Sequence, residues 1–177
     1  MSSVSLAQRV FRSVGESPVS EQVANAQTKL YGPLLKWARR SPIHTDALGH
    51  SLHPVLTDVT LGCWLSASAL DLAGPDSHRS AKLLVGLGLV ASVPTALAGA
   101  ADWAEMSGEE RRIGAIHSLS TDVATFLFLG SLAARMRGHH AAGSRFALAG
   151  NLVLAGAGLL GGHLALTRGT ADRTPRA

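Results

Sequence analysis

The stretch AKLLVGLGLVASVPTALAGAA, residues 81–101, decides the fold, because its only charge is Lys82 at its start. A helix of about 20 apolar residues crosses roughly 30 Å of hydrocarbon. The stretch has no polar face at helical spacing, and the surface of a soluble bundle would require one. Pro94 within it is tolerated in a transmembrane helix and is expected to kink it. Working outward, three more runs of similar length appear at 55–73, 115–134 and 146–166, with Asp122 inside the third run and His163 the only ionisable residue of the fourth. Breakers separate them: Gly74-Pro75-Asp76, Ser107-Gly108, and Gly138 with Gly143. Four helices joined by short loops run up and down. The expectation is an all-α integral membrane bundle over 48–168, with helices at about 55–73, 81–101, 115–134 and 146–166.

Composition agrees. Charged residues are 16% of the 177, against about 25% in ordinary chains, and there are 19 glycines. Gly158 and Gly162 form a G-x-x-x-G pair, repeated by Ala157 and Gly161, which lets backbones approach within the bundle or between protomers of a homo-oligomer. Cys63 is the single cysteine, so a disulfide framework and a cysteine-ligated cluster within this chain are excluded. The net charge of +4 is not laid out as a basic stripe with interleaved aromatics, so nucleic acid is not an expected partner. Nothing pairs a nucleophile with a base, and no glycine-rich loop follows a strand, which argues against a hydrolase or nucleotide-dependent enzyme.

Residues 1–47 differ. Val23, Ala26, Leu30, Leu34 and Trp37 recur at helical spacing while Lys29, Lys36, Arg39 and Arg40 fill the other side. Such an arm lies along a lipid bilayer surface, bent at Gly32-Pro33. Residues 169–177 read as a disordered tail. One side of the bundle carries eleven lysines and arginines and the other five, which places both termini in the cytoplasm.

This topology gathers His50, His53, Asp102, His117 and His163 at one end, with Asp58 a turn inside the first span. Ionisable groups at membrane depth are costly and usually face the interior. Imidazole and carboxylate together suit haem iron or another metal ion. His53, His117 and His163 are the primary ligand candidates; His50, Asp58 and Asp102 are secondary. No H-x-x-x-H or H-E-x-x-H is present, and His53 and Asp58 lie about 140° apart on an ideal helix. A lone histidine at a helix end is more often a cap or an interface residue, so the convergence carries more weight than any single position.

Several segments in order carry a resemblance. The run from Leu48 to Asp58, LGHSLHPVLTD, resembles the L-G-H-P-L-H-P opening of the bacterial membrane family called domain of unknown function 2231. Gly62-Cys63-Trp64, Gly99-Ala100-Ala101-Asp102-Trp103, Arg112-Ile113-Gly114-Ala115-Ile116-His117 and Gly161-Gly162-His163-Leu164 are similar to its later motifs. Ser51 stands where the family often has proline. The resemblance implies a four-helix inner-membrane domain, in many members fused to or paired with a Rieske-type iron–sulfur protein, and it carries no established reaction.

The first functional expectation is a cytoplasmic-side His/Asp cluster holding haem b or a divalent metal for electron transfer with such a partner. The second is a non-catalytic anchor or assembly subunit with a satisfied polar network. Proton movement ranks last, because no relay of acids crosses the spans.

Overall fold

A computed structural model describes residues 5–45 and 47–174. Six α-helices follow in order: α1 (Leu6–Glu16), α2 (Pro18–Arg40), α3 (His53–Ala73), α4 (His78–Trp103), α5 (Gly108–Met136) and α6 (His140–Gly162). A 3-10 turn, Pro75–Ser77, precedes α4, and a π-helical turn, His163–Thr167, continues α6. Among the described residues the only β pairing is an isolated bridge between His50 and Asp172. The helix starts follow local chemistry. Ser5 and Gln8 form a capping box on α1, Ser17 caps α2 through Val19 N–H, and Pro54 sits in the first turn of α3. Gly74 (φ 106°) and Gly138 (φ 80°) make the reversals after α3 and α5, in a region where a Cβ would clash.

Four helical segments, α3 to α6 with their flanking turns, are long and apolar enough to span a membrane. Each runs beyond the apolar block that marks it, because polar first and last turns continue the helix: α5 begins at Gly108 and α4 reaches Trp103. Much of their apolar surface is uncovered by protein, with Leu72 91% and Leu166 88% exposed, as lipid-facing positions require. The helix α4 continues through Pro94.

The bundle consists of two helical hairpins, α3–α4 and α5–α6, which repeat one another. The sequence HPVLTD at 53–58 recurs as HSLSTD at 117–122. Equivalent residues meet in layers along the bundle. Trp64 stacks on Phe128 at 4.0 Å between ring centres, 6° from parallel. Beyond them Arg135 donates to Asp71 at 2.7 and 2.5 Å, a pair 64 positions apart. At the far end His78 stacks on His140 at 4.1 Å. Equivalent residues touch one another only on a symmetry axis, so these layers define an approximate twofold running along the spans, the parallel-repeat arrangement known in membrane proteins. Glycines seat the large rings: a Cβ on Gly88 would collide with Trp64 and one on Gly150 with Phe128.

The arm is two helices, and it docks on one end of this bundle. Two faces of α2 are apolar. Ala24 and Leu35 are buried, with Tyr31 partly so, in a cluster that includes Trp103 and Ala115, and Ala38 is buried as well, while Leu30, Leu34 and Trp37 remain exposed on the stripe expected to meet lipid. Pro33 lies inside α2 without ending it. Glu21 ties the arm down, accepting from Arg111 at 3.1 Å and Arg112 at 3.2 Å. The Arg112 hydrogen bond is the main reason its carboxyl titrates below the ordinary 4.5. With the folded value lowered, this contribution to docking is present above pH 4.5 and disappears as pH falls through the lowered value. A spin label on the arm should therefore gain mobility only in acid, and Glu21→Gln should bring that mobility to neutral pH. Equal mobility of the variant and the parent at pH 7 would remove Glu21 from the docking account.

Residues 169–174, expected as disordered tail, instead run back across the start of α3. Ser51 N–H donates to Ala171 O at 2.8 Å, Arg173 N–H donates to Gly49 O at 3.0 Å, and the Arg173 guanidinium donates to Asp102 at 2.5 Å. The remainder of the expected tail, 175–177, lies outside the described residues. The arm and the 169–174 segment share one end of the bundle.

Candidate functional site

At that same end the axis carries a second pair of histidines. His53, in the first turn of α3, and His117, two turns into α5, face each other with ring centres 6.2 Å apart and planes at 87°. Each Nδ1 is fixed by the partner helix of its own hairpin. His53 Nδ1 lies 2.9 Å from Thr95 O, and His117 Nδ1 lies 2.9 Å from Ala157 O. A carbonyl oxygen only accepts, so both Nδ1 atoms carry a proton, and Nε2 is the nitrogen whose lone pair a neutral ring offers. This is the tautomer that metal-binding imidazoles adopt when a backbone carbonyl holds the opposite nitrogen. Gly99 and Gly161 make room, since a Cβ on either would sit 2.8 Å from the Cε1 of His53 or His117 respectively. Thr95 is held in turn, its hydroxyl 3.0 Å from that of Thr60.

Two cavities flank the pair, of about 120 and 90 Å³, and both are lined by His53, His117, Thr121 and Asp122. The arm comes close to this region. Burial, and after it the Asp122 carboxylate, pushes the Tyr31 phenol above its ordinary value of 10.0, which keeps the hydroxyl protonated.

Of the other candidates, Asp102 alone shares a cavity with the pair. Asp102 lines the larger cavity and accepts from Ser51 Oγ and from Arg173, each at 2.5 Å. His44 adds itself to that network at 3.9 Å from Asp102 and 3.1 Å from Glu105. His163 begins the π-helical turn, stacks on Phe11 of α1 at 4.1 Å and lies 3.4 Å from Arg168 Nε. His50 bonds through Nδ1 to Ser51 O at 3.0 Å beside the bridge to Asp172. Asp58 is exposed on the outside of α3, as its angle from His53 implies. His50, Asp58 and His163 line neither cavity. The structure thus brings together His53 and His117 and leaves the third primary candidate on the arm side. Among the described residues no group of three or more histidine, cysteine or acidic side chains is placed to hold a metal ion.

The sequence did not single out Thr95 or Thr60, and it marked Gly99 and Gly161 only as motif and small-residue positions, not as part of the site. A signal existed: the H-x-x-x-T-D repeat marks His53 and His117 as equivalent, and it marks Asp58 and Asp122 likewise. Gly158 and Gly162 have no side chain or neighbouring backbone close to where a Cβ would stand, so this small-residue pair faces outward while Ala157 and Gly161 face His117.

Four apolar spans in two repeated hairpins, with a surface arm at one end, define a multi-pass α-helical membrane protein. The family model described as Predicted membrane protein (DUF2231) matches residues 49–173, and the chain belongs to that family. Comparison with curated proteins and with solved structures gave no match.

Proposed function

We propose that the His53–His117 pair is a membrane-embedded transition-metal centre serving electron transfer. The observation that carries this reading is the matched pair of imidazoles, each with Nδ1 committed to a carbonyl, which leaves Nε2 as the nitrogen available to a metal. Two imidazoles on one metal at about 2.0–2.1 Å hold their ring centres roughly 5 Å apart at a tetrahedral angle and roughly 6.4 Å apart when opposed, and the separation of 6.2 Å here lies between these limits. Imidazole suits iron, copper, zinc and nickel. Asp122, on the walls of both cavities, offers a further oxygen donor. Each cavity is smaller than the roughly 300 Å³ at which organic-cofactor pockets begin, which favours a bare ion. A second reading, b-type haem, is favoured by the two-histidine donor set itself, since two axial imidazoles are all the protein supplies when the macrocycle provides the rest. Haem would require α3 and α5 to part.

The excess of lysine and arginine on the arm side supports a cytoplasmic location for that end, in a bacterial inner membrane. A Rieske-type partner as electron donor or acceptor rests on the family resemblance alone. Metal analysis and reduced and oxidised spectra of the detergent-purified chain test the centre. A stoichiometric metal lost in His53→Gln and His117→Gln and retained in His163→Gln and His50→Gln is the expected result. A Soret band would select haem over a bare ion. A colourless, metal-free protein with all four variants equally folded would overturn the centre and leave a membrane anchor whose histidines only join helices.

A further inference from the structure

Where the arm crosses the ends of α4 and α5, it encloses a cavity of about 510 Å³ whose wall includes Lys36, Arg39, Arg40 and Arg111. Leu35, Trp103 and Met106 form its apolar part. Arg111 is held rigidly, donating to Glu21, to Asn25 at 2.9 Å and to Thr28 at 3.0 Å, with its guanidinium 5.8 Å from the centre of the Trp103 ring. Arg39 has only a loose, half-exposed contact with Glu105 at 3.4 Å. Among the described residues no carboxylate forms an ion pair with Lys36 or Arg40. The cavity therefore has a surplus of positive charge that the described residues do not neutralise.

We infer that this cavity binds the phosphate headgroup of an anionic phospholipid. Its position supports a lipid over a free anion. The cavity lies where α4 ends at Trp103 and α5 begins at Gly108, the depth at which spans leave the hydrocarbon. On the opposite face of the same helix Leu30, Leu34 and Trp37 are 71, 42 and 53% exposed, an apolar stripe that holds the arm, and with it the cavity, at the lipid surface. Basic pockets between membrane helices near a headgroup layer hold lipid phosphates through such clusters, each cation adding to the attraction. A headgroup bound here would bridge α2 to α4 and α5, and so would join the arm to the bundle that carries the histidine pair.

The full chain, stripped of lipid in a neutral detergent, would be titrated with short-chain phosphatidylglycerol, short-chain phosphatidylcholine and inorganic phosphate, with binding read by native mass spectrometry. Phosphatidylglycerol should bind saturably and more tightly than phosphatidylcholine. Lys36→Gln with Arg40→Gln should weaken it roughly 10- to 30-fold, on the usual attraction per basic residue near a lipid surface, with the helical circular dichroism unchanged. Equal binding of the two lipids, or no effect of the double variant, would overturn the inference. Full competition by inorganic phosphate at millimolar concentration would reassign the cavity to a free anion.

Discussion

Replacing Arg135 with leucine is expected to destabilise the folded bundle by about 3–5 kcal/mol, the usual cost of removing one partner of a buried ion pair. The Arg135 side chain is fully buried and that of Asp71 is 8% exposed, so the orphaned carboxylate would have no water to turn to. Arg135 also donates to Ser131 Oγ at 3.1 Å, and Ser131 Oγ donates to Gly143 O at 2.7 Å, which locks α5 to α6 at the same layer. Unfolding in detergent should show the loss. Replacing Asp71 and Arg135 together by leucine should restore most of it, because an apolar pair of similar volume is often as stable as a buried ion pair. The twofold relation adds a sharper variant. Asp71→Arg with Arg135→Asp moves the charges between equivalent positions, so the exchanged protein should be more stable than either single variant. If the exchanged protein were no better than the single variants, the two positions would not be equivalent.

Gly99→Ala and Gly161→Ala are each expected to weaken metal binding about 10- to 100-fold, the range for disturbing a group that orients a ligand. Neither glycine supplies a donor atom. The added Cβ would stand 2.8 Å from the imidazole Cε1, closer than carbon atoms pack, so the ring must swing off its carbonyl. A merely structural histidine would also shift, yet nothing would be lost except stability. Metal titration beside thermal unfolding separates the two, and an unaltered metal affinity in both variants would count against the site.

Much of this fold is legible in the sequence for one reason: charge is missing from four runs, and lipid is the solvent that permits this. The helix ends are less legible. Glu109, Glu110, Arg111 and Arg112 read as loop, but they form the first turns of α5, because Arg111 and Arg112 face Glu21 of the arm instead of water. The docking face of α2 escapes notice because Ser20 and Gln27, polar residues, are buried in it; Gln27 donates to Ala115 O at 3.3 Å. The exposed stripe of Leu30, Leu34 and Trp37 is the more apolar of the two and draws the eye first. At the site, up-and-down topology suffices to bring His53 and His117 to one end. It does not tell them from His163, because that distinction depends on helix phase near a π-helical turn and on Phe11, more than 150 positions away in the chain. Asp58 and Asp122 occupy equivalent positions in the repeat, yet one faces outward and the other lines the cavities, since the hairpins meet unlike neighbours.

The most direct measurement is X-ray absorption at the metal edge of the protein loaded with copper or iron, with the His53→Gln and His117→Gln double variant beside it. Two imidazole nitrogens at about 2.0–2.1 Å, both absent in the double variant, are the result this account predicts. A spectrum without imidazole scattering, or one that the double variant leaves unchanged, would contradict it.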